Sequence, residues 1–190
     1  MIDKLKIRVG EPIKRPEKLT SYDENVNTQT GEVTFIGRLS NLFIKGNQDG
    51  FTIENSLSRY YLGDGFTKNL SLDESKKAVE KLSDELEILL GSYKVSLIEF
   101  GSIIELDYKV KRVLDGLLSL RGYKKDPMSS GVYFNKNNTT IALYDVVKRW
   151  KYQGIKRDRS LDDANLLKYE NRFENTSVTL GKRGNTINDI

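Results

Sequence analysis

Between Glu32 and Gly63 the chain runs through four short alternating segments, EVTFIGRL, NLFIKG, GFTIEN and SLSRYYLG, with GNQDG and GDG as the turn sequences among them. Turns this short can join only antiparallel neighbours, because a parallel pair needs a crossover of a dozen residues or more. All four segments read as strands, and the stretch is expected to fold as an antiparallel meander. A strand from Leu5 to Val9 precedes it, across a proline-containing loop that ends in SYDENVNTQTGE.

A helix follows the meander. Ser71 and Glu74 form a Ser-x-x-Glu capping box, and Ala78, Val79, Leu82, Leu86 and Leu89 recur at helical steps up to Gly91. Next come a strand at 94–108, a helix over 109–120, a loop at KKDPMSSG, a hairpin turning at 136–138 and a last strand, NLLKYENRF. Runs of strands with a few interposed helices predict an α+β fold: a mostly antiparallel sheet with helices packed on one face. At 190 residues the chain suits one domain, here placed at 1–175, with a polar, flexible tail at 176–190. No repeat and no glycine-rich phosphate loop is visible.

The chain contains neither histidine nor cysteine. That excludes disulfides, thiolate zinc sites, cysteine nucleophiles and Ser-His-Asp catalysis. Any bound metal must be held by oxygen, which favours magnesium, manganese or calcium. No apolar run approaches a bilayer span, and MIDKLKIRV lacks the apolar stretch of a signal peptide, so the expected location is the cytoplasm, with no membrane partner.

The 94–108 strand carries an acid among apolar neighbours: Glu99 shares a face with Leu97 and Ile103. A buried carboxylate is costly unless paired, with an arginine, a metal ion or water at a strand edge. Two later strands also carry acids, Asp145 in TTIALYDVVK and Glu170 beside Lys168 and Arg172 in NLLKYENRF. If those strands are neighbours, Glu99, Asp145 and Glu170 converge on an oxygen-lined cation site. Charge points the same way. KRWKYQGIKRDR, residues 148–159, has six Lys or Arg against one Asp, interleaved with Trp150 and Tyr152. Lys148, Arg149, Trp150, Lys151, Lys156, Arg157 and Arg159, with Arg172, are the expected DNA contacts; a solvated helix face is the alternative.

NSLSRYYLG with its following LS and EKLSD, then KVSLIEFG, GVYFNKNNTTIALYDVVK and LLKYENRF, resemble in order the replication initiation proteins of the filamentous-phage gene II/gene X type. The likeness spans about residues 35–175. It implies a rolling-circle initiator of a phage or plasmid in a bacterial host: a tyrosine attacks one DNA strand, a divalent cation polarises the phosphate, and a 3′-hydroxyl is left as primer. Tyr144 and Asp145, and Leu167, Tyr169, Glu170 and Arg172, match the family's pattern, whereas Val146 and Arg149 stand where it has Lys and Glu. Tyr169 faces away from Glu170, so the resemblance leaves Tyr152 and Tyr144 as the candidate nucleophiles. A non-catalytic relative that binds DNA, single-stranded or as origin duplex, or a protein partner is the alternative function.

Overall fold

The computed structural model describes residues 2–155, 158–176, 186 and 188. Ten strands form one antiparallel sheet: β1 (Ile2–Val9), β2 (Thr20–Val26), β3 (Val33–Leu39), β4 (Leu42–Asn47), β5 (Gly50–Ser56), β6 (Lys94–Glu105), β7 (Lys124–Met128), β8 (Gly131–Lys136), β9 (Thr139–Asp145) and β10 (Leu166–Glu174). Their spatial order is β2-β3-β4-β5-β1-β6-β10-β9-β8-β7. The α+β expectation holds. The order also divides the sheet into two five-stranded halves that meet where β1 pairs with β6. In each half a first strand is rejoined by the last strand of a later meander. No sequence repeat announces this.

Among the described residues there are four α-helices: α1 (Leu57–Leu62), α2 (Leu72–Leu86), α3 (Val110–Gly116) and α4 (Val146–Gln153). The α2 capping box forms as expected, Ser71 Oγ accepting from the Glu74 amide at 3.1 Å while Glu74 accepts from the Ser71 amide at 2.7 Å. Its apolar stripe, Ala78, Val79, Leu82 and Leu86, packs with Leu5, Ile7, Val9, Ile53 and Ile98 on one sheet face. Glu87 ends the helix in the left-handed conformation, φ 55°, which leaves Leu89 in solvent rather than on the stripe. Helix α3 stops at Gly116, short of the expected 120, with Val110 buried.

Three segments differ in type from the sequence reading. SLSRYYLG begins helix α1 instead of continuing the meander, because Ser56 Oγ caps it by accepting from the Arg59 amide. The basic segment, for which the sequence assigns no element type, opens as α4, capped by Asp145. The loops expected around SYDENV and KKDPM contain β2 and β7, the two outer strands, which are polar because they sit at the sheet edges.

Helices α1, α2 and α3 lie behind the sheet. Helix α4 is the exception to the one-sided packing: Val146, Val147 and Trp150 pack with Ala142, Tyr144 and Leu166 on the opposite, front face. It covers only the second half, so the front of the first half has no described helix on it. No described helix is long and apolar enough to cross a membrane.

Candidate functional site

The front face is read off the strand register. Across β6 and β10, Glu99 pairs with Arg172, Gly101 with Glu170 and Ile103 with Lys168. Across β10 and β9, Glu170 pairs with Ala142 and Lys168 with Tyr144. Facing side chains in a ladder share a face, so Glu99, Glu170, Lys168, Arg172 and Tyr144 all project forward. Asp145 pairs with Leu167 and so points to the back, where it caps α4 by accepting from the Lys148 amide at 2.9 Å. The expected grouping of Asp145 with Glu99 and Glu170 fails by one residue of strand parity.

The third acid is Asp3. Between Ile2 and Lys4 strand β1 advances two residues while β6 advances one, a β-bulge. The bulge turns Asp3 from the core side to the front, where it accepts from Ser56 Oγ at 3.2 Å and is paired with the Lys168 ammonium. Carboxylate oxygens of Asp3, Glu99 and Glu170 lie within 4.8 Å of one another, all three residues buried. Gly101 makes the crowding feasible: a Cβ there would stand 3.2 Å from Lys168 Cε and 3.4 Å from both Asp3 Cβ and Glu170 Cγ.

These groups floor a cleft of about 470 Å³. One wall is α4, with Arg149, Trp150 and Gln153. The other is Ser56, Arg59 and Phe66, the Lys168 ammonium lying 5.3 Å from the Phe66 ring centre. Tyr144, only 6% exposed, donates its hydroxyl to Glu170. Arg149 lies 4.3 Å from the centre of the Tyr144 ring and donates to the Tyr133 hydroxyl at 3.0 Å.

Electrostatics follow from burial. Glu99, 3% exposed, has its pKa pushed up to about 7, by loss of water and then by the Glu170 charge, against the pull of Arg172. Burial and the neighbouring Glu170 carboxylate hold the Tyr144 phenol well above its ordinary value, Arg149 opposing them. Burial works against the charge on Lys168, but the Asp3 and Glu170 carboxylates outweigh it and raise its pKa. The resting cleft therefore holds a protonated tyrosine hydrogen-bonded to a carboxylate, among five cationic side chains: Lys4, Arg59, Arg149, Lys168 and Arg172.

As oxygen-only donors at this spacing, Asp3, Glu99 and Glu170 fit a hard divalent cation. Lys168 bridges Asp3 and Glu170, the second contact at 3.2 Å, and Arg172 holds Glu99 at 2.6 Å, so the acids are also neutralised by the chain itself.

The other expected site residues scatter. Tyr152 is 83% exposed on α4 and lines no part of the cleft. Trp150 is 7% exposed in the core under α4, so it cannot stack on a base. Lys148 is exposed, and Lys151 bonds the Asp162 carbonyl at 3.1 Å. Arg159 sits in a 3-10 turn, Arg159–Leu161, and Lys156 and Arg157 lie outside the described residues. Of the expected DNA contacts, Arg149, Trp150 and Arg172 line the cleft, Trp150 as a buried part of its wall. Asp3, Lys4 and Arg59 were not foreseen; the apolar-acid-basic start IDK was the available signal for the first two. No protein-family model and no curated protein matches the chain.

Proposed function

We propose that the cleft is a phosphodiester site and that the protein is a DNA-binding replication initiation protein of the rolling-circle type. It would act in the cytoplasm of a bacterial host, with Tyr144 as nucleophile. The observation that carries the reading is the hydrogen bond from the Tyr144 hydroxyl to Glu170 inside a cleft lined by Arg149, Lys168 and Arg172. A nucleophile paired with a general base is the arrangement covalent catalysis needs. The cations suit the charge of a bound phosphate and of its transition state.

In this reading the Tyr144 oxygen forms a bond to phosphorus as its proton passes to Glu170. The bond from phosphorus to the 3′-oxygen breaks, and that oxygen leaves with the electron pair and takes a proton from water. A 5′-phosphotyrosine and a free 3′-hydroxyl result. Arg149, beside the phenol ring, favours the anionic form as the proton departs. A magnesium or manganese ion held by Asp3, Glu99 and Glu170 would supply further polarisation of the phosphate.

A second reading rests on the ion pairs. Each of the three carboxylates already has a lysine or arginine partner, which suits a scaffold that binds DNA without cutting it. One experiment separates the two. Incubated with single-stranded DNA and manganese, then denatured, the protein should carry a covalent DNA adduct that maps to Tyr144 by mass spectrometry. Binding without an adduct gives the second reading, and an adduct at another tyrosine overturns the assignment of Tyr144.

A further inference from the structure

The front of the first half is a bare sheet, and its side chains differ from those of an ordinary solvated face. Across the ladders Arg38 pairs with Phe43, Phe43 with Glu54 and Glu54 with Lys6, making one row. The next row runs Ile36, Lys45, Thr52 and Arg8. Arg38, Lys45 and Arg8 are exposed. Lys4 and Lys6 share one carboxylate, Glu54, at 3.4 and 3.1 Å, so that trio keeps a net positive charge. Asp23, opposite Ile36 on β2, adds a second acid at the outer edge. Asp49, at the β4–β5 turn, lines the groove as a third acid, so five cations against three acids leave a basic face.

This face is also concave. A groove of about 750 Å³ is lined by Lys6, Arg8, Thr34, Ile36, Lys45 and Thr52 among others. Apolar surface is interleaved with the charge: Ile36 is 47% exposed, and Phe43 is half-buried with the Arg38 guanidinium 6.0 Å from its ring centre. The groove joins the cleft along β1, because Lys4 lines the cleft while Lys6 and Arg8 line the groove. Lys4 and Arg8 are about 13 Å apart at the rise of an extended strand.

We infer that this groove is a track for single-stranded DNA leading to Tyr144. Lys6, Arg8 and Lys45 meet phosphates, and Ile36 and Phe43 meet bases. The inference rests on the proposed function of the cleft and adds where the substrate arm lies. It moves the main electrostatic contact from the 148–159 segment to β1 and β4. Charge names an anion, and the interleaved apolar groups name one with exposed flat rings: a single strand offers its base faces, whereas a duplex stacks them away.

The test is fluorescence anisotropy of a labelled oligothymidylate, titrated at several salt concentrations without divalent cations. It compares the wild-type chain with the combined variant Lys6→Ser, Arg8→Ser, Lys45→Ser. The variant should bind about tenfold or more weakly, and its salt slope should fall by about 2, since each phosphate contact on a single strand contributes roughly 0.7. Unchanged circular dichroism and melting would show that the surface changes leave the fold intact. An unchanged slope overturns the track, whatever the adduct assay gives. A reduced slope with no wild-type adduct keeps the track and removes the nucleophile. Equal affinity for the matching duplex overturns the single-strand assignment, as does an equal loss of binding to phosphatidylserine vesicles.

Discussion

Arg172 donates from Nε to Glu99 Oε2 at 2.6 Å, directly across the β6–β10 ladder. Glu99 is buried and Arg172 is not, so the two ends of this pair are unequal. Removing Arg172 leaves a buried acid without its partner, and Arg172→Met should cost about 3–5 kcal/mol in urea unfolding. Adding Glu99→Gln should restore part of that loss. A double variant no more stable than Arg172→Met alone would show that the pair is not the dominant contact.

Stability should fall as pH rises from about 5 to 8. The ordinary glutamate value is 4.5, and Glu99 in the folded chain is held near 7. Between those values the folded state keeps a proton that the unfolded chain has released, so raising the pH favours unfolding. The loss tapers off as the pH passes 7 and is complete near about 8. Glu99→Gln should flatten this part of the curve, as read from denaturant midpoints at each pH.

Tyr144→Phe should abolish the covalent adduct while leaving oligonucleotide affinity within about twofold. The hydroxyl contributes one hydrogen bond and Glu170 keeps its Lys168 partner, so the fold should lose only about 1 kcal/mol. Tyr152→Phe should change neither quantity. An adduct surviving in Tyr144→Phe would move the chemistry elsewhere.

Trp150→Ala should destabilise the protein by about 3–5 kcal/mol, as expected for emptying a buried aromatic site. The residue packs with Ala142, Tyr144 and Leu166 beneath α4. Because it is the chain's single tryptophan, its fluorescence in the native protein should resist quenching by iodide and should not be quenched by stacking on added DNA. Strong quenching by oligonucleotide would place it at the interface after all.

What the sequence revealed and what it concealed divide along physical lines. Glu99, Glu170, Arg172 and Tyr144 were legible because β6, β9 and β10 alternate cleanly, and alternation alone assigns faces. Asp145 was misplaced because facing across two strands depends on register, which a single strand does not encode. Asp3 was hidden by a bulge, a one-residue insertion visible only against its partner strand. Trp150 and Arg149 read alike as members of a basic run. Once Asp145 starts a helix there, the fold packs Trp150 under α4 as a buried part of the cleft wall and sets the Arg149 guanidinium against the Tyr144 ring.

The cleft draws on β1, β6, β9 and β10, whose contributing residues run from Asp3 to Arg172. Asp3 meets Lys168, which lies 165 positions later in the chain. On a ribosome, which releases the chain from its first residue onward, the first half can close on itself once β5 is available to β1. The exposed β1 edge must then wait for β6, and β6 in turn for β10. For most of its synthesis the chain is therefore a growing sheet with an open edge and without its cleft. Late long-range pairings of this kind are slow, and unpaired edges invite aggregation in the meantime. Any DNA-directed chemistry of the cleft is thereby withheld from the nascent chain until β10 is made.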